Sequence, residues 1–141
     1  EIMPSLVGSE MCIRDRFMLK PSAGVEGVKE CIVRAVKEAG ANPCPPIIVG
    51  VGIGGTAEKA MEVAKEQLLR EVGKHSDDSV LADMEREVLD KINALGIGAQ
   101  GFGGDNTAFA VNIGKYPTHI AALPVAVNIQ CNAMRIAKAV L

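Results

Sequence analysis

The chain has 141 residues, 48% hydrophobic and 23% charged, with a formal net charge of −2 at pH 7. That length suits one domain with a real core, and the balanced charge leaves no electrostatic footprint for nucleic acid or an acidic membrane surface. No apolar run reaches the ~18 residues of a membrane helix, and with only three Phe, one Tyr and no Trp the core must be built from Val, Ile, Leu, Ala and Met.

Residues 1–16, EIMPSLVGSEMCIRDR, show neither helical nor strand period, and they lack the basic start and apolar middle of a signal peptide. They resemble translated sequencing-adapter read-through. The expectation is therefore a non-native segment at 1–16, with Cys12 outside any site, and a partial catalytic domain over 17–141; a disordered native N-terminus is the alternative. From Gly24 to Ala39, Val25, Val28, Ile32, Ala35, Val36 and Ala39 follow helical spacing, with Ser22 as cap and Gly40 as stop. Cys31 lies on this helix and reads as a packed thiol. IIVGVGIG, Ile47 to Gly54, is apolar throughout and predicts a strand buried on both faces. Thr56 caps a helix expected to run to about Gly73. A polar connection with an exposed His75 leads to a second helix, Ser79 to Leu95, whose wet face carries Glu85, Arg86 and Glu87. GIGAQGFGGDN, with five glycines in eleven residues, predicts a loop that lets backbone approach a ligand or another chain. Strands are expected at Thr107–Ile113 and Ala121–Ile129, the second on an edge or bulged because of Pro124. Asn132–Val140 reads as a helix. The pattern is α/β: mixed helices and strands with glycine-rich loops.

Two chemistries compete for NPCPPIIVGVGIGGTAEKA, Asn42 to Ala60. Gly50, Gly52 and Gly55 form a literal G-x-G-x-x-G between strand and helix. The acidic residue that should end a second strand about 20 residues on is missing, since Asp77 and Asp78 fall in a polar turn. There is no G-x-x-x-x-G-K-[ST] loop, so the glycines read as packing residues. Cys44, after Asn42-Pro43 and before Pro45-Pro46, has a restricted backbone, which suits a metal ligand. Cys131 falls at a strand-to-helix junction, where a thiolate gains from a helix N-terminus. Neither has a C-x-x-C partner. Four cysteines without close pairing, and no secretory signal, point to a reducing cytoplasm. Spacing alone leaves buried structural thiols and metal ligands both open.

Three longer stretches carry a resemblance: SAGVEGVKECIVRAVKEAGANPCPPIIVGVGIGGTAEKAMEVAKEQLL, GIGAQGFGGDNTAFAV and YPTHIAALPVAVNIQCNAMR. Over Lys20 to Leu141 the chain resembles the class I, iron–sulfur fumarate hydratases and L-tartrate dehydratases, in their α subunit or N-terminal catalytic region. The fold implied is part of that α-type hydro-lyase catalytic domain. The resemblance implies a [4Fe–4S] cluster held by three cysteines, with Cys44 and Cys131 as two of the ligands and His119 as a contact to the substrate carboxylate. The third ligand belongs to an upstream Cys-Gln-Asp-Thr-Gly stretch that this sequence does not contain. The Gly101–Gly104 loop resembles an element near the active site.

The implied reaction is reversible hydration between fumarate and L-malate, a C4 dicarboxylate substrate, with L-tartrate dehydration as the alternative. The general base and the carboxylate-binding cations are implied to come from a β subunit or fused C-terminal domain, in a cytoplasmic homo- or hetero-oligomer. By itself this chain is expected to be inactive. Asn132 and Ile136 stand where the family commonly has histidines, which keeps a non-catalytic remnant, like a nucleotide-binding module, among the alternatives.

Overall fold

The computed structural model describes residues 13–133, with side chains from residue 15 onward. Its strands are β1 (Ile13–Leu19), β2 (Ile47–Gly54), β3 (Ala108–Tyr116) and β4 (Leu123–Gln130). Its helices are α1 (Gly24–Ala39), α2 (Ala57–Gln67) and α3 (Ser79–Asn93), with short 3-10 turns at Pro21–Ala23 and Ala99–Gly101. The four strands form one sheet in the order β1-β4-β2-β3. β3 runs parallel to β2, while β4 is antiparallel to both β2 and β1.

The mixed α/β architecture expected from the sequence is present, and α1 and β2 fall at their expected bounds. The physical basis of β2 is finer than a continuous apolar run. Ile47, Val49 and Val51 face one side and join α1, α3, Val111, Ile113, Val127 and Ile129 in the main core. The opposite face carries small residues, with Gly50 between Asn112 and Asn128, and Gly52 between Gly114 and Ala126. This small-residue floor admits α2. A Cβ on Gly52 would stand 1.9 Å from the Ala60 carbonyl oxygen, and one on Gly50 2.3 Å from that of Ala64. The glycines of the G-x-G run thus carry a helix backbone laid directly on the sheet.

Several expectations are corrected. β1 begins at Ile13 and pairs with β4 from Ile13↔Ile129 to Leu19↔Leu123, so residues 13–16, set aside as irregular, are strand. α2 ends at Gln67 rather than near Gly73; Leu68 turns into the core, while Leu69 and Val72 are exposed. The cap of α1 is Ala23, without a side-chain bond, in place of Ser22. β4 is an interior strand, unbulged at Pro124, because the β2 ladder stops at Val125, one residue short of the missing N–H. The helix expected over Asn132–Val140 lies, from residue 134 on, outside the described residues, as does Cys12.

Glu85 is the largest correction. Expected on the wet face of α3, its side chain is fully buried. It accepts from the Arg70 guanidinium, from the Ser76 N–H at 3.1 Å and from the Ile113 N–H at 2.8 Å, with His75 Nδ1 at 3.3 Å. Arg70 also donates to the Ile113 carbonyl at 3.1 Å. This cluster pins the connection between α2 and α3 to β3, and His75, exposed as expected, stands at its edge.

A candidate thiolate site at one end of the sheet

The strand directions sort the candidate residues by position. β2 starts, β3 starts and β4 finishes at the same end of the sheet, and that end carries Cys44, the loop before β3, and Cys131. The two cysteine segments touch through their backbones, where the Asn132 N–H donates to the Cys44 carbonyl at 3.4 Å. Both thiols are half-buried and free of disulfides. Cys44 has φ 52, in the left-handed region, and its N–H donates to the Ala41 carbonyl at 3.1 Å. A non-glycine residue adopts that conformation only where its surroundings hold it there, a condition that gathers at functional sites.

The glycine loop is fastened against this turn. Thr107 and Ala108 donate their N–H groups to Asn93 Oδ1 at 3.0 and 2.9 Å, and the Gly98 N–H donates to Thr107 Oγ1 at 3.1 Å. From that anchored root the loop reaches Pro45, whose carbonyl accepts from the Gln100 N–H at 2.9 Å. Phe102, at the loop's tip, is 92% exposed.

Cys31 is a different kind of thiol. It is half-buried on α1, and burial pushes its pKa up, so it stays protonated at neutral pH. That agrees with its reading as a packing residue.

His119 is not brought to the cysteines. It sits in the connection between β3 and β4, at the far end of the sheet. The eight residues of β4 separate it from Cys131, a span of about 25 Å. There the Ala121 N–H donates to His119 Nδ1 at 3.1 Å, so the neutral ring carries its proton on Nε2. Next to His119, the Thr118 hydroxyl lies 3.3 Å from the carbonyls of Gly55 and Ala122. A cavity of about 380 Å³ opens here, walled mainly by apolar side chains such as Val28, Ile53, Leu81 and Met84, with His119 and Lys115 at its edge. Lys115 is paired with Asp78, which also caps α3. That engagement gives Asp78 a helix-capping role rather than the ribose-binding role of a dinucleotide site.

The sequence profile of the family described as fumarate hydratase (Fumerase) matches residues 1–140. The chain belongs to this family, that of the class I fumarate hydratases and tartrate dehydratases. A provisionally named L(+)-tartrate dehydratase subunit alpha of Methanocaldococcus jannaschii is 52% identical over 118 residues, covering 84% of this chain and 41% of that protein. The L(+)-tartrate dehydratase subunit alpha of Escherichia coli K12 is 34% identical over 118 residues, covering 84% of this chain and 39% of the relative. The chain thus spans about two fifths of the length of these relatives.

The residues present fit an iron–sulfur group in donor chemistry, since thiolates are the ligands such clusters take. Cys44 and Cys131 are two thiols of that kind, on segments joined by the bond from the Asn132 N–H to the Cys44 carbonyl. Among the described residues no set of three His, Cys, Asp or Glu side chains is gathered in one place. No helix among them is long and apolar enough to cross a membrane.

Proposed function

We propose that the chain is part of an iron–sulfur hydro-lyase that interconverts fumarate and L-malate, with Cys44 and Cys131 as two ligands of a [4Fe–4S] cluster. The observation that carries this reading is the meeting of the two cysteine segments at one end of the sheet, through the Asn132 N–H and the Cys44 carbonyl. Such a cluster supplies a Lewis-acid iron for a substrate hydroxyl and carboxylate. This chain's own part is to hold the two thiolates on a rigid turn and a strand end, so that little ordering remains on binding. The third thiolate, the general base and the cations for the substrate carboxylates come from outside it, from further α sequence and from a β subunit or fused C-terminal domain.

His119 contacts a carboxylate of the C4 diacid through Nε2–H, the proton that the Ala121 bond leaves free. Because β4 separates His119 from Cys131, the two serve the same reaction only in an assembly where the His119 end of one copy meets the cysteine end of another. An oligomer is therefore part of the reading.

A second reading, L-tartrate dehydration, is favoured by the names of the relatives, which are L(+)-tartrate dehydratase α subunits. The two differ in whether the pocket accommodates a second hydroxyl. Turnover of L-malate against L-tartrate by the full-length protein with its β part separates them. The cluster assignment is tested by Cys44→Ser and Cys131→Ser, each expected to abolish retention of iron and acid-labile sulfide while Cys31→Ser leaves both unchanged. Full iron and sulfide in either of the first two variants would sink it.

A further inference from the structure

Among the described residues, two that are not glycine hold a positive φ: Cys44, at 52°, and Gln100, at 54°. They lie 56 positions apart in sequence and meet at one carbonyl. The oxygen of Pro45, the residue after Cys44, accepts from the Gln100 backbone N–H at 2.9 Å and from its side-chain Nε2 at 3.3 Å. One residue therefore supplies both donors to the peptide that follows the thiol. Gln100 makes both contacts from a backbone conformation that few residues other than glycine adopt.

The loop that carries Gln100 has little freedom to relax. The Gly98 N–H is bonded to Thr107, itself fully buried, and the Gly103 N–H donates to the Ile97 carbonyl at 2.8 Å. On the outer side Gly101 passes the cysteine turn so closely that a Cβ there would stand 2.5 Å from Ala41 Cβ. The Cys44 turn is thus gripped on three sides: by Ala41 through its N–H, by Asn132 through its carbonyl, and by Gln100 through the next carbonyl.

We propose that Gln100 is a positioning residue for Cys44, its left-handed backbone and its amide together clamping the Pro45 carbonyl and holding the thiol in the orientation in which it binds. The clamp itself is a property of the metal-free chain. Its consequence for iron rests on the ligand assignment proposed for Cys44.

The test uses the full chain, freed of metal with a chelator, and three variants of position 100. Iodoacetamide labelling followed by peptide mass spectrometry gives separate rates for Cys44 and Cys31, the latter reporting the integrity of the fold. Gln100→Gly removes the amide and the restriction on φ, and should raise the Cys44 rate about threefold, the weight of one ordinary hydrogen bond. Gln100→Val places a β-branched side chain on a left-handed backbone and should raise it about tenfold. Gln100→Asn keeps an amide on a residue that tolerates positive φ, and should stay closest to the parent. Cys31 should label at the parent rate throughout. After anaerobic reconstitution in the full-length protein, retained iron should fall as the Cys44 rate rises.

An unchanged Cys44 rate in Gln100→Gly, or an equal rise at Cys31, overturns the proposal. If the labelling order holds while the parent protein takes up no iron, the clamp stands and the cluster assignment falls.

Discussion

At the scale of single residues, Glu85 and Glu87 stand two positions apart on α3 and meet opposite fates. Glu85 is sealed between Arg70 and two backbone N–H groups, where removing the carboxylate leaves a nearly buried guanidinium and the Ile113 N–H without their partner. Glu85→Ala should lower unfolding stability by about 3–5 kcal/mol, read as a fall in denaturant midpoint with unchanged slope. Glu87 is exposed and lies between Lys29 and Lys91, whose ammonium groups hold its pKa down from 4.5 to about 2. A carboxyl whose folded pKa lies below its unfolded value stabilises the fold above the unfolded value, and that contribution is lost as pH falls through the folded one. Glu87→Gln should therefore lower the melting temperature at neutral pH, and its difference from the parent should close between pH 4.5 and about 2. A gap of constant size across that range would show that the pairs with Lys29 and Lys91 do not stabilise the fold.

At the scale of elements, the contact between α2 and the sheet depends on absent side chains. Gly50 and Gly52 let the carbonyls of Ala64 and Ala60 come within 2.3 and 1.9 Å of where a Cβ would be. These are backbone atoms, so no rotamer change relieves the clash; α2 itself has to move. Gly52→Ala should cost about 3 kcal/mol, measurable by chemical denaturation. Gly73→Ala, where a new Cβ meets nothing within 4 Å but φ is 87°, should cost about 1–2 kcal/mol. A loss at Gly52 no larger than that at Gly73 would mean that α2 yields to the new Cβ at little cost, since Gly52 itself holds no positive φ. Thr56 adds a cap to the same helix, accepting from the Lys59 N–H at 3.2 Å. Its choice as N-cap was legible because capping is local chemistry, whereas the early end of α2 follows from Arg70 turning toward Glu85 and Ile113.

At the scale of the whole molecule, the sheet divides the candidate chemistry between its two ends. The cysteine segments and the Gln100 loop share one end, while His119 shares the other with the apolar cavity. If His119 of one copy serves the thiolates of another, mixed oligomers of the full-length protein with its β part, formed from His119→Asn and Cys44→Ser chains, should recover activity that neither variant has alone. A random mixture of a two-site dimer should reach about a quarter of the parent rate, since half the assemblies carry both variants and one intact site each. No recovery would place His119 outside the reaction.

What the sequence determined by itself was what local chemistry and long motifs can carry. The 3.6-residue spacing set α1, the apolar run set β2, Thr56 marked the start of α2, and the motifs around Cys44, His119 and Cys131 marked the family. Folding decided whatever depends on partners distant along the chain. Glu85 looks like any helix-surface carboxylate until Arg70 and the Ile113 N–H close over it from other elements. The alternation of large and small residues in β2 is visible in IIVGVGIG, yet only the sheet shows that the small face accepts α2 and the large face the main core. Gln100 has no signal beyond its place among glycines, because its role arises from meeting Pro45 across 55 residues of chain. The separation of His119 from the cysteines was likewise invisible, since the direction of β4 relative to β2 is set by sheet pairing and not by any residue near either site.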